Sequence, residues 1–197
     1  MAAAAASGEE HERINSLSHL ALVEALHGRL ARAAELADEA TAVGPGDGHG
    51  PQGQHSKAAA LAALAWVHLE HHELRAARSR LARVDAALQA SPDRLIGAVA
   101  CLTAAYGALA EGHADVATKF LARARSAWPV PSWLEHRLNL AESRALAATG
   151  DIEAALAAAK RAGCDGPPET AVTLAHAWVA AGDGDNAARA RPGASGA

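Results

Sequence analysis

A glycine, replaced once by histidine, recurs along this chain with an alanine five residues after it: Gly28 and Ala33, His72 and Ala77, Gly112 and Ala117, Gly150 and Ala155, Gly182 and Ala187. Seven residues before each of these positions the residue is small (Ala21, Ala65, Ala105, Ser143, Ala175), and three before it the residue is apolar (Ala25, Leu69, Leu109, Ala147, Val179). A repeat limits the fold severely, because one unit cannot bury its own apolar face and must stack on its neighbours. The pattern has a direct physical reading. Two antiparallel helices joined by a tight turn approach closely only where small side chains face each other. The glycine supplies the left-handed residue that ends the first helix, and an Asp just after it, as in Gly150-Asp151 and Gly182-Asp183, caps the second. The alanines are 44, 40, 38 and 32 residues apart. Most of these intervals exceed the roughly 34 residues of a tetratricopeptide unit, so the excess belongs in loops between hairpins.

The expected fold is therefore all-α: about five antiparallel helical hairpins stacked as a tetratricopeptide-like right-handed superhelix. Composition agrees, since half of the residues are apolar and they are mostly Ala and Leu, with few β-branched runs. Helices are expected near 17–26, 29–43, 57–71, 73–90, 92–111, 114–127, 133–149, 152–162, 169–181 and 185–190. Residues 1–13 read as a disordered tail, 14–190 as the repeat domain, and 191–197 as a C-terminal tail. The Gly- and Pro-rich stretch 44–57 reads as a flexible loop within the domain. Ser91-Pro92-Asp93 reads as a cap followed by a proline at the first helical position, and Ser132-Trp133-Leu134-Glu135 as a capping box.

Charge and cysteine content narrow the function classes. A formal net charge of -4 with interspersed signs provides no basic field, so direct nucleic-acid binding is not expected. The longest uncharged stretch, 95–110, is too short to span a membrane. Cys101 and Cys164 stand apart without metal or redox spacing, and the N-terminus lacks the charged and apolar regions of a secretory leader. A cytoplasmic protein with buried, reduced cysteines is the expectation. Arg far outnumbers Lys, which occurs only at Lys57, Lys119 and Lys160; with the Ala richness, this is the signature of a GC-rich bacterial coding sequence.

The segments ALVEALHGRLARAAELA (21–37), LAWVHLEHHELRAARSRL (64–81) and SWLEHRLNLAESRALAATGD (132–151) give the chain a wider likeness. It resembles the helical sensor domain of LuxR-type, MalT-like bacterial transcriptional activators, particularly those of actinobacteria. The resemblance implies a module that binds an effector and passes the change to DNA-binding machinery. Such regulators also carry a P-loop ATPase and a helix-turn-helix; this sequence has no G-x-x-x-x-G-K-[ST] and no helix-turn-helix after Gly182. An excised sensor domain and a free-standing repeat protein both stay open.

Catalytic patterns are absent from the sequence. His68, His71 and His72 fall at helical spacing and form a weak metal candidate, with His49 and His55 in the loop. No H-E-x-x-H or cysteine pair accompanies them, and a solvated helix end is the plainer reading. His68-Leu69-Glu70 matches half of a zinc-deaminase signature whose P-C-x-x-C half is missing. No G-x-S-x-G is present. No enzymatic activity, cofactor or metal is expected.

Register points instead to binding. If the small positions mark helix crossings, the residue after each one lines the inner face of the repeat: Leu22, Trp66, Tyr106, Arg144 and His176. One turn earlier lie Ser18, Ala62, Leu102, Leu140 and Val172, with Arg137 a further turn back in the fourth unit. This face passes from apolar and aromatic to cationic. It suits a small-molecule effector, or a regulatory protein or peptide, with an apolar part near Trp66 and Tyr106 and an anionic or hydroxyl-rich part at Arg137 and Arg144. The competing reading is that these side chains only cover the wall, with Arg144 paired to Glu142 or Glu169. Trp178 reads as core and Trp128 and Trp133 as cover for the proline-rich turn. The alternative function is a free-standing tetratricopeptide protein–protein interaction scaffold; either allows a homodimer.

Overall fold

The computed structural model describes residues 2–42, 57–126, 130–163, 168–180 and 182. Its elements are α1 (Ala2–Leu26), α2 (Leu30–Ala42), α3 (Ala58–Glu70), α4 (Leu74–Ala90), α5 (Arg94–Ala110), α6 (Ala114–Ser126), α7 (Ser132–Ala148), α8 (Ile152–Arg161) and α9 (Pro168–Ala180). No strand occurs among the described residues. The chain forms two compact units, residues 1–103 and 104–197, with the division falling inside α5. In the first unit α1 packs on α2 and α3, α2 on α3, and α3 on α4. In the second α6 packs on α7, α7 on α8 and α9, and α8 on α9. Within the first unit α1 to α4 each meet the next, and within the second α6 to α9 do, with α1 also against α3 and α7 also against α9.

The turns follow one hydrogen-bond scheme. Gly28 donates to the Ala25 carbonyl (3.0 Å) and Arg29 to Glu24 (3.0 Å); Gly112 donates to Leu109 (3.0 Å) and His113 to Ala108 (2.8 Å). Gly150 donates to Ala147 (3.1 Å) and Asp151 to Leu146 (3.0 Å). These paired bonds satisfy the last carbonyls of the helix around one left-handed residue. Here φ is 78° at Gly28, 80° at Gly112 and 86° at Gly150. The turn between α3 and α4 keeps the scheme without a glycine: His72 donates to Leu69 (2.9 Å) and Glu73 to His68 (2.8 Å), with φ 59° at His72.

The small positions of the first four repeats lie in the core, whereas Ala175 in the fifth is only half-buried. Ala21, Ala65 and Ala105 are 0% exposed and Ser143 1%; Ala33, Ala117 and Ala155 are 0% and Ala77 4%. α3 is buried all round, Ala58 to Val67 without interruption, which accounts for its lack of a polar face. Cys101 is buried. No helix among the described residues is long and apolar enough to cross a membrane.

Several expectations change. Residues 1–13 are not a tail separate from the fold: α1 starts at Ala2 rather than Leu17, because its alanines favour helix, Ile14 is buried and Arg13 reaches Glu39 on α2 (2.9 Å). Asp93, not Ser91, caps α5, its Oδ1 accepting from the Ile96 amide (2.9 Å); Ser91 instead ends α4 in an extended conformation. The capping box at Ser132 does not form, since Pro131 precedes the helix as its cap residue and its carbonyl accepts from both the Leu134 and Glu135 amides (2.9 Å each). Asp151 caps α8 as expected, accepting from Ala154 (3.1 Å). The loop residues 43–56, Trp128, Cys164, Asp183, the helix expected over 185–190 with Ala187, and the tail 191–197 lie outside the described residues.

Candidate functional site

Helical register sets where the proposed binding residues fall. In α7, Arg137 and Arg144 are seven residues, two turns, apart and share one side of the helix. Glu135, Asn139 and Glu142 share another, roughly half a turn around. The second side meets cations from both neighbouring helices. From α6, Arg125 Nη2 lies 2.8 Å from Asn139 Oδ1 and 3.1 Å from Glu142, with Nε 3.5 Å from Glu135. From α8, Arg161 Nη2 donates to the same Glu142 carboxylate at 2.7 Å. The Glu142 carboxylate is consequently drawn away from Arg144.

Arg144 points to different company. Its guanidinium carbon stands 5.6 Å from the centre of the Tyr106 ring on α5, within cation–π range. Its Nε and Nη2 donate to Thr173 Oγ1 on α9 at 3.3 and 3.2 Å. Thr173 is buried, so the hydroxyl is a fixed anchor, while Arg144 itself is exposed. No carboxylate pairs with Arg144 among the described side chains; Glu142 is engaged elsewhere, and the Glu169 side chain lies outside them. Tyr106 is half-buried, and its hydroxyl donates to the Arg137 carbonyl (3.5 Å). His136, next to Arg137, donates from Nδ1 to the Ala162 carbonyl at the end of α8. Tyr106 thereby meets the Arg144 side chain and the Arg137 backbone carbonyl, with His176 exposed three residues past Thr173 on α9. A guanidinium held on an aromatic face with donors to spare can hydrogen-bond a carboxylate, a phosphate or a pair of hydroxyls.

The first-unit members of the register ladder do not line an open face. Trp66 is 3% exposed and Leu22 5%, with Ser18 and Ala62 at 0%. Trp66 sits on the helix that is apolar all round, and its indole is part of the core. In the second unit Leu102's counterpart Leu140 is buried and Val172 is 44% exposed. Trp178 is half-buried under the Lys160 ammonium, 5.2 Å from its ring, and Trp133 is 43% exposed.

The histidine cluster does not assemble. Helix α3 ends at Glu70 and His72 turns left-handed, so the i, i+4 alignment of His68 with His72 is lost before it can chelate. His68 Nδ1 instead meets the Glu73 carboxylate at 2.6 Å. No group of three or more metal-ligating side chains occurs among the described residues.

Two features escaped sequence reasoning. Thr173 lies one position off the register ladder, so nothing in its spacing marks it as the Arg144 anchor. The polar stripe Glu135, Asn139, Glu142 is legible at helical spacing, but its cationic partners come from other helices. Comparison with models of protein families, with curated proteins and with solved structures gives no match.

Proposed function

We propose that this chain is a ligand- or partner-sensing helical repeat module of a bacterial transcriptional regulator, of the tetratricopeptide-like kind its sequence resembles in LuxR-type, MalT-like activators. The effector binds on the face of the second unit that carries Tyr106, Arg137 and Arg144. One observation carries the reading: Arg144 is exposed and held over Tyr106 by the buried Thr173 hydroxyl, with no carboxylate beside it among the described side chains. Surface arginines are ordinarily matched by acids, as Arg125 and Arg161 are here by Glu142. An anchored cation on an aromatic ring is a preorganised site for an anionic or hydroxyl-rich group. The repeated left-handed turns and buried alanine crossings support the tetratricopeptide-like arrangement within each unit.

The test is a thermal-shift screen of metabolites, sugars and acidic peptides, repeated with Arg144→Ala and Arg144→Lys. A ligand at 100 times its dissociation constant raises stability by about 2.7 kcal/mol. The expected result is loss of the shift in Arg144→Ala and weakening in Arg144→Lys, which keeps the charge but not the planar fork. A ligand bound equally by both variants would place the site elsewhere. The scaffold reading is favoured instead if acidic peptides alone bind and no small molecule does.

A further inference from the structure

A guanidinium holds its N–H groups in one rigid plane, with one parallel pair along the Nε–Nη2 edge and another across the Nη1–Nη2 end. In Arg144 the first pair is committed, since Nε and Nη2 both donate to Thr173 Oγ1 at 3.3 and 3.2 Å. The hydroxyl that receives them is buried and fixes the plane of the fork. The Nη1–Nη2 end makes no hydrogen bond or ion pair among the described residues, and the Arg144 side chain is exposed.

Carboxylates, phosphates and hydroxyl pairs all accept from such an end, and the surroundings separate them. A pair of hydroxyls must also place its own protons. The Thr173 oxygen already accepts twice, the Tyr106 hydroxyl is turned to the Arg137 carbonyl, and the Glu142 carboxylate is held by Arg125 and Arg161. A phosphate monoester brings roughly 1.5 to 2 negative charges and three acceptor oxygens, whereas Arg144 supplies one positive charge and two aligned donors. A carboxylate has one charge, two coplanar oxygens and no proton to place, and it matches the fork in bidentate fashion.

We propose that the group recognised by Arg144 is a carboxylate, bound end-on by Nη1 and Nη2. Thr173 is the positioning residue that aims this end outward. The inference rests on the effector site proposed above and narrows its ligands to carboxylic acids, against phosphate esters and sugars.

Benzoate, benzamide, benzyl alcohol and phenyl phosphate share one ring and differ in the head group. Each is titrated into the 15N-labelled full chain at constant ionic strength, followed at the backbone amide resonances of Arg144 and Thr173. The series runs to about 50 mM, because one bidentate pair on a small probe is read in the millimolar range. Benzoate is expected to bind at least about ten-fold more tightly than the other three. It is expected to lose at least about ten-fold in Arg144→Lys, which keeps the charge but not the parallel donors, while circular dichroism stays helical. Binding of phenyl phosphate or benzyl alcohol as tight as that of benzoate, and lost in Arg144→Ala, overturns the carboxylate assignment and leaves the effector site standing. Undiminished benzoate binding in Arg144→Lys overturns the bidentate contact, and undiminished binding in Arg144→Ala overturns the effector site with it. Absence of any benzoate shift at these two resonances also overturns the carboxylate assignment.

Discussion

His72 occupies the left-handed turn position that glycine holds at Gly28, Gly112 and Gly150, with φ 59°. A side chain there costs roughly 1–2 kcal/mol, partly offset because glycine gains about 0.5–1 kcal/mol of freedom when unfolded. His72→Gly is therefore expected to stabilise by about 0.5–1 kcal/mol, a rise of about 2 °C in melting temperature for a chain of this size. An unchanged or lower melting temperature would show that the imidazole has a compensating role. Ser143, 1% exposed, buries a hydroxyl without a hydrogen-bond partner. Its replacement by Ala removes an unsatisfied group and should be neutral or stabilising by up to about 1 kcal/mol in chemical denaturation. At the first turn, the Glu24 carboxyl is held below its ordinary 4.5, chiefly by its hydrogen bond from Arg29, whose Nη2 lies 3.0 Å away. A depressed carboxyl stabilises the fold above its ordinary value and loses that contribution as the pH falls through its folded value. An acid titration of stability should thus be flatter below pH 4.5 in Glu24→Gln than in the unmodified chain.

Helices and their ends were readable wherever the signal was local. Expected and observed limits of the interior helices differ by at most two residues, because left-handed glycines, alanine-rich runs and Asp151 act within a single turn. The error at Ser132 has a physical cause. Pro131, with φ -58° and ψ 144°, presets the entry and its carbonyl accepts from the Leu134 and Glu135 amides, while the Glu135 side chain lies beside Arg125 rather than folding back. Capping by Asp93 and Asp151 should each be worth about 1 kcal/mol, measured as the loss on replacement by Ala. Helix crossings make a sharper demand. Ala117 is 0% exposed on α6, and Ala117→Leu should overpack that site by about 1–3 kcal/mol. On the same helix Ala122 is exposed, and Ala122→Leu should change stability by less than about 0.5 kcal/mol. Equal behaviour of the two variants would mean the crossing register is wrong.

At the scale of the whole molecule, partners separated widely in sequence set the charge distribution. Glu142 joins Arg125 of α6 to Arg161 of α8, at 3.1 and 2.7 Å, and all three side chains are partly exposed. Glu142→Gln should lower stability by roughly 0.5–1 kcal/mol, and by less as salt is raised, because part-exposed pairs are screened. A loss independent of salt would make the network a packing feature instead. Sequence alone determined that the chain is helical and where its turns fall, since propensity, left-handed turns and caps are decided by residues within one turn of each other. It did not determine which side of an apolar helix would face outward. α3 carries no polar stripe to set its rotation, so Trp66, assigned to a binding face by register, lies in the core at 3% exposure. Only the tertiary structure placed Arg144 against Tyr106 and Thr173 and turned Glu142 away from it, because those partners lie on separate helices and meet only when the hairpins stack.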